Sequence, residues 1–293
     1  MQDARSWSSV VLLVAALAVP CAARAGVVIV TESEPPAKEA ASAGEARKAS
    51  ARKGDLHLTG RLYASGKDVR LQGTRTDGDG KESGTVLFRG ASDTIVVLND
   101  RERTYFEISR ADAKRLASSL ESVRAQIRAQ LETMSPEDRA AVEQAMQEFG
   151  GLGNGGAKKP PQPIKAVATG RTSEVEGRPC RQFDVQRGGK RIAEACVASW
   201  RDVGLEPDDL AGVRELAAFQ RDVLEQVDWE GLESAPGSEV FELMEEIGGV
   251  PVRVRTMHEG KPIVVRVIDV QRKDIDPELF RVPTGYERTT LPG

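Results

Sequence analysis

Cys180 and Cys196 are the side chains whose types and spacing point most directly to chemistry. Redox-active and metal-binding pairs favour a C-x-x-C spacing, which these cysteines lack. A turn at 187–189 predicts an antiparallel hairpin, and a three-residue loop there places Cys180 directly opposite Cys196. We therefore predict a structural Cys180–Cys196 disulfide, formed in an oxidising compartment. A two-residue loop, the alternative, shifts this register by one residue.

The other side chains that could act in catalysis or bind metal form no recognised constellation. Neither His57 nor His258 lies near a G-x-S-x-G motif, so the sequence supplies no hydrolytic triad. Asp77 and Asp79 resemble part of a calcium loop, but Lys81 stands where a third oxygen ligand is needed. We predict no catalytic residue, no metal ligand and no cofactor, and interpret the protein as a non-enzyme. A glycosidase with paired carboxylates remains an open alternative.

Three arginines near the C-terminus could bind an anion. Arg253 and Arg255 alternate with valines on one predicted strand, and Arg266 lies on the next. Guanidinium groups that share a sheet face can bind phosphate or carboxylate. We interpret the three arginines as surface side chains over a half-exposed strand, and keep the anion site as the alternative.

The first 25 residues predict a signal peptide. A positively charged start precedes an apolar run at 8–19, which is too short to cross a bilayer. The small side chains of Ala23 and Ala25 predict cleavage between Ala25 and Gly26. Lipid modification of Cys21 is the alternative, but the proline before it disfavours that process.

Composition limits where the mature protein acts and what it binds. The formal net charge of −4, with scattered arginines, lacks the basic stripe that nucleic-acid binding requires. No second apolar run of about 18 residues follows, so we predict no transmembrane span in the mature chain. We expect a bacterial protein that is periplasmic or secreted. The oligomeric state does not follow from the sequence.

Strand-like segments dominate the first part of the mature chain. Residues 26–31 (GVVIVT) have the composition of a strand, whereas 32–54 are polar and predict a disordered linker. Within 55–109, five apolar and β-branched runs are separated by turn residues. This pattern predicts an antiparallel meander.

Two helical regions, 110–149 and 207–247, are predicted to cover the sheet. In the first, apolar residues recur at helical spacing and predict one amphipathic stripe: Leu116, Leu120, Val123, Ile127, Leu131 and Met134. Ser135-Pro136 then predicts the start of a second helix. We interpret the first region as a helical hairpin packed on the sheet, with a movable lid as the alternative. The glycine-rich stretch at 150–163 predicts a flexible loop.

The chain ends in a predicted hairpin. Val250, Val252 and Val254 are expected to share one face of its first strand. Its second strand is apolar on nearly both faces, so both faces must be covered.

Four segments carry a resemblance to a known family. They are GRLYASGKDVRLQG, DTIVVLNDRERTYFEIS, EVEGRPCRQFDVQRGGKRIAEACVASW and IDPELFRVPTGYERTTLPG. Together they resemble a family of exported bacterial proteins described as a domain of unknown function, which is similar to the lipoprotein-carrier class. The resemblance implies a curved, incomplete antiparallel barrel whose concave side holds helices. It implies no particular binding residue.

The predicted fold class is α+β: a curved antiparallel sheet, or incomplete β-barrel, with helices packed on its concave face. Residues 26–54 are expected to hold the initial strand and the linker, and 55–293 a single lipoprotein-carrier-like domain. We expect a binding protein that carries or senses a lipid, an acyl chain or a lipidated partner in an apolar cleft. The alternative is an envelope interaction or structural protein with a filled core and no small-molecule ligand.

Overall fold

The structure, a computed structural model, describes residues 24–34, 57–77, 80–135, 164–226, 243–244, 246–258 and 261–290. Several predicted features lie wholly or partly outside these ranges: residues 1–23 of the predicted signal peptide (1–25), most of the linker, the second helix at 136–149 and the loop at 150–163. Asp79 and residues 227–242 of the predicted helical region 207–247 also lie outside them.

One open, curved sheet of 12 strands forms the body of the protein. The strands are β1 (Arg24–Ser33), β2 (His57–Ser65), β3 (Asp68–Asp77), β4 (Gly80–Arg89), β5 (Thr94–Asn99), β6 (Thr104–Ser109), β7 (Ile164–Val175), β8 (Arg178–Arg187), β9 (Lys190–Ala198), β10 (Val250–His258), β11 (Lys261–Ile275) and β12 (Glu287–Arg288). Their order is β12-β6-β5-β4-β3-β2-β1-β11-β10-β9-β8-β7. All pairs are antiparallel except β12 with β6. The five predicted strands of the meander are confirmed as β2 to β6.

β1 joins the two halves of the sheet. It pairs with β2 on one side and with β11 on the other, and Val27, Val28 and Ile29 are all buried. Ser33 accepts a hydrogen bond of 2.8 Å from the Leu58 N–H, so the strand extends two residues beyond the predicted 26–31 segment. The domain's sheet therefore includes a strand that precedes residue 55.

Helix α1 (Arg110–Thr133) begins at a reciprocal cap. The Ser109 hydroxyl accepts a hydrogen bond of 3.1 Å from the Asp112 N–H, and the Asp112 carboxylate accepts one of 2.9 Å from the Ser109 N–H. The Ser109 hydroxyl also donates to the Asp112 carboxylate. This hydrogen bond is the largest cause, and the one from the Ser109 N–H the second, of a pKa of Asp112 lowered to about 2.

Replacing Ser109 with alanine is expected to lower the free energy of unfolding by about 1 kcal/mol near pH 7. Because the pKa of Asp112 is lowered on folding, its stabilising contribution is complete above the unfolded value and is lost as the pH falls towards 2. Urea unfolding at a series of pH values should show the deficit shrinking in acid. Ser118→Ala, on the exposed middle of the same helix, is the control and should not destabilise. Equal effects of the two changes would contradict the cap.

Helix α2 (Ala211–Gln226) packs on one face of the sheet, here named the helix-covered face. A 3-10 turn (Pro207–Leu210) leads into it. The rings of Phe219 on α2 and Phe88 on β4 lie 5.9 Å apart between centroids, and both are almost fully buried. Burial of such aromatic rings contributes about 1.5–3 kcal/mol each, so this pair anchors the helix.

The predicted apolar stripe of α1 is only partly buried. Leu131 is buried, whereas 46 % of Val123 and 37 % of Met134 are exposed. α1 contacts α2 and the short strand β6. A helix of 24 residues is about 36 Å long, so it is longer than the six-residue strand β6 that it contacts.

The C-terminal tail (residues 276–290) crosses the opposite face of the sheet, here named the tail-covered face. Phe280, in the 3-10 turn Pro277–Phe280, packs against Val28 and Ile275. Further along, Val282 and Tyr286 pack on a second apolar cluster, formed by Leu87, Val96 and Leu98. β12 then pairs with β6. Apolar residues on both faces of the central strands are therefore covered, by α2 on one side and by the tail on the other.

The predicted disulfide is present, but the predicted register is wrong. Cys180 and Cys196 are bonded, with Cα atoms 5.4 Å apart. Cys196 lies opposite Gln182, not opposite Cys180. The cause is a two-residue turn, in which Gly188 and Gly189 both have positive φ, combined with a bulge at Ile192 on β9.

A second bulge changes the faces of β10. Val250 and Val252 belong to the core under α2, but Val254 packs in a separate cluster with Phe183 and Val185 of β8. The prediction that the three valines share a face is therefore wrong, because the register shifts between Pro251 and Arg253.

The helical residues just before β10 also differ from expectation. Leu243 and Ile247 pack in the cluster that contains Phe183 and Val185. On β8, Phe183 and Val185 lie at odd positions and Cys180 at an even one, so their side chains point to opposite faces of the sheet. Cys180 faces the core under α2, and Phe183 and Val185 therefore face away from it. The described residues of the predicted helical region 207–247 therefore contribute to both faces instead of one.

Candidate functional site

An apolar cleft of about 290 Å³ opens beside the start of α2. Its described lining consists of Trp200, Pro207, Leu210, Val213, Arg214, Met244 and Gly248. The volume is at the lower end of the range of ligand pockets, about 300–1,000 Å³. Apolar walls with a single charged group are typical of a site for an apolar chain.

The connection between β9 and α2 places Trp200 in the cleft wall. Ser199 donates a hydrogen bond of 2.6 Å to the Asp202 carboxylate, and the Leu205 N–H donates one of 2.9 Å to the Trp200 carbonyl. Val203 and Leu205 are buried in the core. Hydrogen bonds and buried side chains therefore fix the loop 199–205, and this holds the Trp200 indole in position.

Arg214 is the charged residue of the described lining. Its guanidinium donates to the Pro207 carbonyl, and its Nη2 lies 3.3 Å from an oxygen of Asp208. The Asp208 side chain is 96 % exposed, so this ion pair is screened by water and contributes little. The guanidinium therefore lies at the rim, where it could meet an anionic group.

A close backbone contact fixes the first turn of α2. The Gly212 N–H donates a hydrogen bond of 3.1 Å to the Gly66 carbonyl in the β2–β3 turn. A Cβ on Gly212 would lie 2.8 Å from the backbone carbon of Lys67, so glycine is required there. Lys67 also pairs with Glu215 at 2.8 Å, and this hydrogen bond raises the pKa of Lys67.

Gly212→Ala is expected to lower the free energy of unfolding by about 1–3 kcal/mol, the usual range for overpacking. The added methyl group meets backbone, which cannot rotate away, so the start of α2 must shift. Urea unfolding measures the loss. Gly73→Ala, where a Cβ meets nothing within 4 Å, is the matched control and should leave stability unchanged. Comparable losses in both variants would contradict the close contact.

The structure brings together two of the three arginines that suggested an anion site. Arg253 and Arg266 are directly opposite each other on β10 and β11. Arg255 is two residues away and lies opposite Glu194 of β9. Arg253 and Arg255 are both exposed, as the interpretation of surface side chains over a half-exposed strand predicts, but Arg253 and Arg266 also pair with Glu34 and Glu176.

The other polar residues considered in the sequence do not converge. His57 Nε2 lies 3.6 Å from a Glu32 oxygen, while His258 pairs with Lys261 at the far hairpin. Asp77 pairs with Gly80 in a hairpin. Across the described ranges, no three His, Cys, Asp or Glu side chains are grouped so as to hold a metal ion.

The predicted cleavage site lies at the start of β1. A Cβ on Gly26 would lie 2.5 Å from the Ala64 carbonyl oxygen and 2.6 Å from Ile275 Cδ1. Ala25 precedes it in the strand, opposite Asp274. The first residue of the predicted mature chain is thus one at which only glycine fits without rearrangement.

The lining of the cleft was not foreseen as a site. Trp200, Leu210 and Met244 come from three separate elements, and each has the local pattern of an ordinary core residue. The best available signal was an indole directly after an apolar strand, where the chain turns away from the sheet.

Compared with models of protein families and with curated proteins, this chain matches none. In the part of the chain that the structure describes, no helix is both long and apolar enough to cross a membrane. The fold and the cleft therefore provide the grounds for a function.

Proposed function

We propose that this protein is a non-catalytic binding protein of the bacterial periplasm that holds a lipid, an acyl chain or a lipidated partner. The observation that carries the proposal is the apolar cleft between Trp200, Leu210 and Met244, with Arg214 at its rim. An acyl chain would replace water along the apolar walls, which is favourable in proportion to the area covered. A carboxylate or phosphate at the head of the chain would meet the guanidinium.

The proposed resemblance to the lipoprotein-carrier class is supported by the shape of the sheet. Glu176, in the β7–β8 turn, pairs with Arg266 of β11 at 2.5 Å, although β9 and β10 lie between β8 and β11. Three strand spacings in a flat sheet are about 14 Å. Strong curvature towards the helix-covered face would bring these side chains together, and we infer that this face is the concave one.

The disulfide supports the proposed location. Disulfides persist in the periplasm and in secreted proteins, whereas cytosolic thiols are kept reduced. Cys180 and Cys196 are bonded and buried. An export signal in the first 25 residues would deliver the chain to such a compartment.

The test is uptake of a fluorescent fatty acid by delipidated protein. Met244→Trp fills the cleft and should weaken uptake by about tenfold or more, whereas Trp200→Ala should retain or increase it. Met257→Trp is the matched control, since 60 % of that methionine is exposed and it lies away from the cleft. Native mass spectrometry of protein purified from the periplasm should detect a retained lipid as added mass. No uptake, or equal uptake by both tryptophan variants, would refute the proposal.

A second candidate function has its own supporting observation. The space between α2 and β3–β4 is filled, because Leu216, Phe219 and Phe88 are almost fully buried. An interaction or structural protein of the cell envelope needs such a filled core and no ligand. The edge strand β7, where 45 % of Val167 is exposed, would then offer its free backbone to a partner. This candidate is favoured if no lipid is taken up.

A further inference from the structure

We propose that Arg178, Arg253 and Arg266 form a binding site for an oxyanion, a phosphate or carboxylate group, where the β7–β8 turn meets β11. This site is distinct from the apolar cleft beside α2, and the proposal does not depend on lipid binding in that cleft.

The first observation is a pair of like charges in register. Arg253 and Arg266 are directly opposite on neighbouring strands, an arrangement that is destabilising unless it is compensated. Glu34, just after β1, accepts two hydrogen bonds from Arg253, of 2.8 Å and 3.0 Å. Glu176 accepts one of 2.5 Å from Arg266. The two glutamates come from elements far apart in the chain, so the fold gathers charge at this point.

A third arginine is delivered by the same turn that supplies Glu176. Arg178 begins β8 only two residues later and pairs with Val175, which is buried in the core under α2. The disulfide reinforces this placement. Cys180 follows Arg178 on β8 and is bonded to Cys196, which lies opposite Arg253. The β7–β8 turn therefore supplies both the carboxylate that binds Arg266 and, two residues later, a third arginine.

Two donor atoms of this cluster lack acceptors. Arg178 Nη1 and Arg266 Nε are both buried, and neither has a hydrogen-bond partner among the described residues. A buried donor left unsatisfied costs about 1–3 kcal/mol, and more when it is charged. Such groups are rare in folded proteins and call for a specific acceptor.

An oxyanion supplies what the cluster lacks. Its oxygens accept from planar guanidinium groups, and its negative charge offsets the excess cation. The same chemistry occurs in free phosphate and in the head group of an anionic lipid, so the experiment must separate these sources.

The experiment is calorimetric titration of the full-length mature protein at constant ionic strength, set with chloride. One arm uses inorganic phosphate, and a second uses a short-chain phosphatidate. Binding of phosphate alone supports a site for a free oxyanion. Binding of the phosphatidate alone, with loss on substitution of the arginines, supports a site for a lipid head group.

Arg178→Gln and Arg266→Gln should each weaken binding by about tenfold or more, as expected for loss of a charge-assisted hydrogen bond. Arg178→Gln is the safer variant, because Arg266 also pairs with Glu176. Arg281→Gln, which removes an exposed arginine paired with Glu278 in the tail, is the control and should bind normally. Met244→Trp should leave phosphate binding intact, which separates this site from the cleft. Absence of binding in both arms, or equal affinity in all variants, would overturn the proposal.

Discussion

Phe280→Ala is expected to lower the free energy of unfolding by about 3–5 kcal/mol, the range for truncation of a buried aromatic ring. Phe280 is 7 % exposed and packs against Val28 and Ile275 on the tail-covered face. Its loss leaves a cavity over the central strand of the sheet. It also weakens the attachment of the tail, which Arg70 holds through a hydrogen bond of 2.8 Å to the Leu279 carbonyl.

Denaturant unfolding monitored by circular dichroism measures the effect. Arg281→Ala changes the next residue of the same turn, but its side chain is exposed and its ion pair with Glu278 is a surface pair. That variant should remain within about 0.5 kcal/mol of the parent protein. If Phe280→Ala were equally mild, the tail would be an appendage and not part of the core.

Reduction of the Cys180–Cys196 disulfide is expected to cost about 3 kcal/mol, because the loop it closes spans 16 residues. The constraint acts mainly on the unfolded chain, whose freedom the bridge restricts. The urea midpoint of the oxidised protein should therefore fall on addition of a reductant. Both cysteines are buried, so reduction should become fast only when urea begins to unfold the protein.

A double variant, Cys180→Ala with Cys196→Ala, separates the bond from other effects of the reductant. Its urea midpoint should already be low and should not respond to the reductant. A midpoint of the parent protein that is unaffected by reduction would show that the bridge adds no stability.

Local patterns were sufficient to predict most of the strands. β2 to β6 follow from apolar runs punctuated by turn residues, because each hairpin is formed by neighbours in the chain. The start of α1 and the Cys180–Cys196 disulfide could likewise be predicted from the sequence.

Register was harder to predict, because single-residue irregularities decide it. A bulge at Ile192 on β9 and a turn of two glycines moved Cys196 opposite Gln182. The bulge after Pro251 moved Val254 to another cluster. Neither bulge is visible in the pattern of apolar residues along its strand. A bulge is defined by the pairing with the neighbouring strand, which the sequence of one strand does not specify.

Contacts between distant segments could not be predicted at all. The cleft combines Trp200 and Leu210 with Met244, and an ion pair joins Glu34 to Arg253. Each partner has an ordinary local pattern, and only the tertiary fold brings them together. The exposure of Val123 on α1 could not be predicted for the same reason, because the sequence of the helix does not specify how long the strand beneath it is.

The central position of β1 determines when the protein can fold. Val27 pairs with Ala64 on β2, a near neighbour in the chain, but it also pairs with Arg272 on β11, which is synthesised much later. Pairings between residues so far apart give a high contact order and slow folding. Until residues 261–275 have been made, β1 presents an unpaired hydrogen-bonding edge that can join strands from other molecules. Fragments that end before β11 are therefore expected to aggregate, whereas the loss of only the last few residues is not.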